Sequence, residues 1–264
     1  MLTQNCLPAV ENGDKNKHFL LPLTKKFFDF FDTTDLQKQM PDGKPMFEMV
    51  VYSGSVEVIL RIPIKSNSQY ITFKRTYDIK RIANAADPDV INKRGLVVEN
   101  QFGLTLYPFV RTGDDLNSFY RVMLVDRDIA PETKHFNYEL AFHKNAKNEL
   151  IKYNAKKVRS SKDSENVTSN FFIVEREFDY IEVKHNNASG IVIPLFPSVK
   201  NGTEEFTFAI DFGTTNTHIE YTLDYKKDPK SRLIVPFEIT ASDIQIATLH
   251  DPNSQETSEA ISGA

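Results

Sequence analysis

The sequence predicts a mainly β protein of the α+β class, in which an antiparallel, strand-rich module fills most of the chain. Many short apolar and β-branched runs alternate with turns of glycine, proline and asparagine. Aromatic usage agrees, since the chain has 20 phenylalanines and 10 tyrosines but no tryptophan. A hydrophobic fraction of 40% in 264 residues suffices for one large core or two ordinary ones.

Charge and cysteine usage exclude several classes of protein. The net charge of −4 and the isoelectric point near 5.9 give no general attraction to nucleic acid or to anionic membranes, so we expect neither as a partner. Cys6 is the only cysteine, which excludes an internal disulfide. No apolar run approaches the roughly 18 residues that span a bilayer, and the first 20 residues lack a signal-peptide core. These observations predict a cytoplasmic protein.

The N-terminal region is expected to begin loosely and then form helix. Residues 1–18 are polar and predict a flexible lead-in. Residues 23–40 predict one helix or two short ones, because four apolar residues fall at helical spacing: Leu23, Phe27, Phe30 and Phe31. We interpret these phenylalanines as core packing rather than as a groove for a partner.

Residues 19–200 are predicted to form a β-rich module. The expected strands are 47–52, 55–64, 69–77, 95–98, 104–110, 118–126, 170–178, 180–185 and 190–196, with helix possible at 145–153. The first three strands predict an antiparallel meander. Residues 197–202 then read as a linker, which places the domain boundary there.

Two segments of this module carry features of ligand sites, but their context favours simpler interpretations. Asp42-Gly43-Lys44 has the composition of a phosphate loop, yet it lies between prolines with no preceding strand. Residues 144–162 hold seven basic side chains, which we interpret as a solvated face because the protein is acidic. The sequence therefore predicts no ligand site in either place.

The most informative stretch is FTFAIDFGTTNTHIEY, residues 206–221. Alternation and β-branched content on both sides of Gly213 predict two strands joined by a tight turn. Phe206, Ala209 and Ile210 favour a strand buried on both faces, which would carry Asp211 to the floor of a cleft. Because Gly213 has no side chain, a phosphate can approach the backbone closely.

The turn offers a set of groups suited to a magnesium nucleotide. Amide N–H groups of Gly213, Thr214, Thr215 and Asn216 are able to converge on one anion. Asp211 would hold a hydrated Mg²⁺ through water, since Mg²⁺ keeps most of its water ligands and like charges keep the carboxylate away from phosphate. The alternative is an ordinary hairpin whose glycine and asparagine only satisfy turn geometry.

Residues 210–217, IDFGTTNT, resemble the first phosphate loop of the actin, DnaK-type chaperone and sugar-kinase ATPase superfamily, with the chaperone branch most similar. The resemblance implies that Asp211 lies near the metal. It also implies that the turn embraces the β- and γ-phosphates of ATP through Gly213, Thr214, Thr215 and Asn216. Residues 203–249 are then a partial actin-like ATPase segment, with further strands at 232–239 and 243–249, and residues 250–264 are a polar tail.

Two hypotheses of function follow. After Thr217 the sequence has no second Asp-x-Gly turn and no Gly-Gly pair, and one hairpin supplies too few groups for phosphoryl transfer. We therefore expect the N-terminal portion of a chaperone-like ATP-binding protein that does not hydrolyse ATP by itself, in which the β-rich module recognises a protein partner. The alternative is a non-enzymatic β-rich protein for partner binding or assembly.

Overall fold

The computed structural model describes residues 1–3, 6–10, 18–64, 69–79, 94–100, 102–111, 120–126, 138–145, 149–151, 153–158, 168–185, 188–197, 205–213, 217–223, 233–238 and 247–250. Its strands are β1 Cys6–Val10, β2 His18–Phe19, β3 Phe47–Val51, β4 Ser55–Pro63, β5 Tyr70–Asp78, β6 Arg94–Asn100, β7 Phe102–Tyr107, β8 Tyr120–Asp126, β9 Tyr138–Lys144, β10 Glu149–Ile151, β11 Tyr153–Val158, β12 Thr168–Val174, β13 Tyr180–His185, β14 Ala188–Val192, β15 Phe206–Phe212, β16 Thr217–Leu223, β17 Val235–Pro236 and β18 Ala247–His250. Within these ranges the helical elements are two single 3-10 turns, Lys25–Phe27 and Asp35–Gln37. The mainly β class is thus confirmed.

Residues 23–40 do not form one continuous helix; of the two predicted alternatives they follow the second, with two short helical elements that are each a single 3-10 turn. Asp32 interrupts the segment, because its Oδ1 accepts hydrogen bonds from the N–H groups of Thr34 (2.8 Å) and Asp35 (3.0 Å). A side chain that binds nearby backbone in this way competes with helical hydrogen bonds. Of the residues expected to pack in the core, Leu23 and Phe27 are buried and Phe31 is partly buried. Phe30 is 74% exposed, so the expectation of core packing is wrong for that residue.

The first sheet has six strands in the order β2-β1-β6-β5-β4-β3. The predicted antiparallel meander is confirmed as β3, β4 and β5, whereas β6 joins β5 in parallel and β1 joins β6 in parallel. Strand β1 lies in the stretch that we expected to be a flexible lead-in. It is held there because Leu7 is fully buried in a cluster with Val56, Val58 and Tyr77.

The next two sheets share one core and form a β-sandwich, with strand orders β10-β9-β13-β14 and β11-β12-β8-β7-β18. Alternate residues of both sheets fill this core, among them Leu104, Leu106, Val122, Leu124, Phe142, Ile181 and Val183. The helix predicted for 145–153 is wrong, since 149–151 belong to β10. Ile151 is buried while Leu150 is exposed, which is the alternation of a strand.

The N-terminal segment crosses the outer face of the four-stranded sheet. Leu21 and Ile191 exchange two backbone hydrogen bonds of 3.0 and 2.9 Å. Phe28 stacks on Tyr180 with 4.0 Å between ring centroids. The segment is therefore part of the same packed unit as the sandwich.

Residues beyond the predicted linker contribute to two different sheets. Strands β15, β16 and β17 form a three-stranded sheet in that order. Strand β18 pairs instead with β7 of the sandwich. The third predicted strand is reduced to Val235–Pro236, and the fourth is observed as Ala247–His250.

Candidate functional site

The predicted hairpin is present. Strands β15 and β16 pair antiparallel in an unbroken register from Phe206 opposite Leu223 to Phe212 opposite Thr217. This register leaves residues 213–216 as a four-residue connection. The glycine and the polar residues of the phosphate-loop motif therefore occupy the connection, and Asp211 lies on the strand one residue before its end.

The prediction that β15 is buried on both faces is wrong. Every residue of β15 is exposed. The apolar residues obey a strict period of two, so that Phe206, Phe208 and Ile210 share one face while Ala209 lies on the other with Asp211. The apparent two-sided apolar strand is in fact one-sided.

Asp211 lies on the polar face of the sheet rather than on the floor of a cleft, which corrects the second expectation for this strand. It is exposed, and His218 lies directly opposite it on β16. His218 Nε2 is 3.1 Å from Glu220 Oε1, two residues further along β16. The polar face beside the connection thus carries two carboxylates and one imidazole.

Gly213 follows β15 and is exposed. The other predicted phosphate ligands, Thr214, Thr215 and Asn216, lie outside the described residues. Across the described part of the chain, no group of three or more His, Cys, Asp or Glu side chains is arranged to hold a metal ion directly. That finding concerns direct ligation, whereas the role inferred for Asp211 is contact with a hydrated Mg²⁺ through water.

The accessibility of Asp211 fits a water-mediated contact with Mg²⁺. A hydrated Mg²⁺ needs an accessible carboxylate with room for several waters. Asp211 is exposed and lies beside the connection, so it meets that requirement. When bound, Mg²⁺ would neutralise phosphate charge that Asp211 and Glu220 otherwise repel.

His218 and Glu220 were not identified from the sequence as site residues. The signal for His218 was nevertheless present, since Asp211 and His218 are equally distant from the centre of residues 213–216. In an antiparallel hairpin with a four-residue connection, residues placed symmetrically about the centre face each other. Glu220 then shares their face because it lies two residues beyond His218.

A second titratable cluster lies on the outer face of the sandwich, under the N-terminal segment. His143 is buried and stacks on Tyr180 with 4.9 Å between ring centroids, and its Nε2 lies 3.6 Å from Glu182 Oε2. Burial acts to raise the pKa of Glu182, but His143 and Lys184 outweigh it and hold that pKa below its usual range. Burial, followed by neighbouring carboxylates, raises the pKa of Tyr180. The cluster secures the contact between Phe28 and the sheet rather than opening to solvent.

The structure describes part of each of the two segments that we interpreted as lacking a ligand site, the Asp42-Gly43-Lys44 turn and the basic segment 144–162. Gly43 has a φ of 81°, and Asp42 beside it accepts a hydrogen bond from the Tyr70 hydroxyl at 2.7 Å, so this turn is tied to β5. In the basic segment, Lys144 pairs with Glu177 at 3.7 Å. Lys152, Arg159 and Lys162 lie outside the described residues.

Comparison with known proteins assigns no family to this chain. No family model matches it, and neither the curated proteins nor the solved structures include a match. In the described ranges, no helix has the length and apolar character needed to cross a membrane.

Proposed function

We propose that the hairpin of β15 and β16 is the phosphate-binding element of a Mg-nucleotide site in a chaperone-like, actin-superfamily ATP-binding protein. The observation that carries this proposal is the placement of IDFGTTNT on a strand–connection–strand, with Asp211 exposed beside the connection. Within the body of a helix or in a packed core, backbone amides are already hydrogen-bonded. Here the motif lies at the end of an exposed hairpin strand, where Asp211 and Gly213 are both accessible to a ligand.

The charges beside the connection determine which form of the nucleotide is able to bind. Asp211 and Glu220 are both acidic, and His218 faces Asp211 across the register and contacts Glu220. A nucleotide triphosphate without a cation would be repelled by these carboxylates, whereas a Mg²⁺ complex would bring its own neutralising charge. Binding is therefore expected to require Mg²⁺.

One hairpin contacts phosphate from one side only. Backbone amides and a water-mediated metal contact give a weak complex, and we expect a dissociation constant of about 1 mM, which corresponds to about 4 kcal/mol. Turnover requires charge neutralisation from several sides, so we expect binding by this chain without measurable hydrolysis.

Isothermal titration calorimetry with Mg-ATP tests the proposal. Wild type should give a heat that disappears in excess EDTA. In Asp211→Ala the fitted dissociation constant should rise about fivefold, because one lost charge contact of about 1 kcal/mol has that effect. Glu205→Ala is the matched control, since Glu205 is an exposed carboxylate that directly precedes the opposite end of the same strand. Its dissociation constant should equal that of wild type.

The alternative function is a non-enzymatic partner-binding or assembly protein. It is favoured by one observation, the exposure of the phenylalanines on β15. Absent heats, or equal dissociation constants for wild type and Asp211→Ala, would favour this alternative over nucleotide binding.

A further inference from the structure

The three-stranded sheet has one face made of apolar side chains. On β15 these are Phe206, Phe208, Ile210 and Phe212, and the residues facing the first three across the register are Leu223, Tyr221 and Ile219. On the third strand, Val235 lies opposite Tyr221, and Phe237 follows it and donates its N–H to the Ile219 carbonyl at 2.8 Å. We refer to this set as the apolar face.

The aromatic residues of the apolar face contact one another. Phe208 lies 5.9 Å from Tyr221 and 6.1 Å from Phe237 between ring centroids. Phe206 completes the group at 5.7 Å from Tyr221. The face is therefore a continuous aromatic surface, with Phe208 at its centre.

This surface is open to solvent. Phe206 is 47% exposed, Phe208 50%, Ile210 51% and Phe212 78%. At about 200 Å² for a full aromatic side chain, the apolar face leaves about 600 Å² of apolar area exposed. This area is at the upper end of the largest apolar patch on a typical monomer, and such patches are often functional.

The face carries no charge. The residues named above are apolar except for the hydroxyl of Tyr221, and the register adds one uncharged polar residue, Thr217, opposite Phe212. Asp211, His218 and Glu220 lie on the opposite face. A charged partner surface would lose hydration here without gaining an ion pair. The complementary surface is therefore another neutral, apolar and flat one.

We propose that the apolar face pairs with the same face of a second copy of this chain. Two such faces together bury about 1,200 Å², which reaches the lower bound of a specific interface. Two twisted sheets pack face to face about 10 Å apart, as in a β-sandwich, and a two-fold axis makes the contact self-complementary. Pairing through the outer edge of β15 would instead join two sheets side by side and leave both apolar faces in water.

This arrangement is independent of the nucleotide proposal. The dimer covers the apolar face and leaves the polar face free, so Asp211 stays accessible in both copies. A chain that dimerises without binding Mg-ATP, or the reverse, would separate the two proposals.

Sedimentation equilibrium over about 1 to about 500 μM is the first test, a range that covers interfaces of this size. Wild type should be a reversible dimer at the upper end. Phe208→Ser should shift the monomer–dimer equilibrium at least tenfold toward monomer. The control is Phe30→Ser, the same change at a phenylalanine that is 74% exposed and lies far from this sheet in the sequence, and it should leave the equilibrium unchanged. A monomeric wild type, or equal effects of the two substitutions, would overturn the proposal.

A second measurement avoids any variant that loosens the sheet. The chain has no tryptophan, so Phe208→Trp introduces a single reporter at the centre of the apolar face. Its emission should be blue-shifted in the dimer and move to longer wavelength on dilution, with the midpoint found by sedimentation. Emission that does not depend on concentration would contradict pairing through this face, including the case in which another segment of the same polypeptide covers it.

Discussion

Gly190 controls how closely the N-terminal segment approaches the sandwich. A Cβ at position 190 would lie 2.5 Å from Leu20 Cβ, whereas ordinary contacts between such atoms lie at 3.4 Å or more. Because the contacted atom of Leu20 is its Cβ, it can move only if the backbone of Leu20 moves. The adjacent residue, Leu21, is fixed by its two backbone hydrogen bonds with Ile191.

Gly190→Ala is therefore expected to destabilise the protein. Overpacking of this kind costs about 1–3 kcal/mol when neighbours shift. If the strain instead expels Leu20 from the core and breaks both hydrogen bonds, the cost rises to about 4 kcal/mol. We expect the free energy of unfolding to fall by about 1–4 kcal/mol.

Urea denaturation followed by far-ultraviolet circular dichroism measures this change. Gly54→Ala is the matched control, because a Cβ there meets nothing within 4 Å and the predicted effect is below about 0.5 kcal/mol. Equal midpoints for Gly190→Ala and wild type would refute the close approach of Leu20. Equal losses in both variants would indicate a general cost of replacing glycine.

Two further predictions concern charged groups. Arg61 is 6% exposed and donates hydrogen bonds to the Pro45 carbonyl and to Glu48 Oε2, each at 2.7 Å. Arg61→Met should therefore lower the free energy of unfolding, measured by urea denaturation, by about 2–4 kcal/mol. Glu48→Gln keeps a hydrogen-bond acceptor on a partly exposed side chain, so it should lower the free energy of unfolding by only about 1 kcal/mol. Equal losses for Arg61→Met and Glu48→Gln would contradict the larger role of the buried arginine. The Tyr70 hydroxyl and Lys44 lower the pKa of Asp42 to about 2, so its stabilising contribution is present above the ordinary aspartate pKa and is lost as the pH falls through about 2. Tyr70→Phe should raise the pKa of Asp42 toward its ordinary value in a ¹³C-carboxylate NMR titration, and an unchanged pKa would remove Tyr70 as the main cause.

The sequence was most informative where the side-chain period was two. The meander of β3 to β5 followed directly from apolar alternation between turns, because a strand repeats every two residues whatever it packs against. The single continuous helix predicted for residues 23–40 is wrong for a local reason. A short run rich in phenylalanine satisfies helical spacing by chance, and at Asp32 a side chain that binds nearby backbone interrupted the segment.

At the hairpin, local pattern predicted the strands but not their surroundings. Antiparallel pairing and the position of the connection follow from residues 206–221 alone. Burial depends on what lies against the sheet, and Phe206, Ala209 and Ile210 carry no information about that. For the same reason, the sequence did not reveal that β1 is packed by Leu7 or that β18 pairs with β7.

The most direct test of the nucleotide proposal is a titration of ¹⁵N-labelled protein with Mg-ATP, observed at the backbone amides. Binding at the hairpin predicts saturable shifts at Gly213 and in the connection after it, with smaller shifts at Asp211 and His218. These shifts should saturate at about fivefold higher concentration in Asp211→Ala and should be lost without Mg²⁺. Shifts that spread over the basic segment, or no shifts at about 10 mM Mg-ATP, roughly tenfold above the expected dissociation constant, would contradict it.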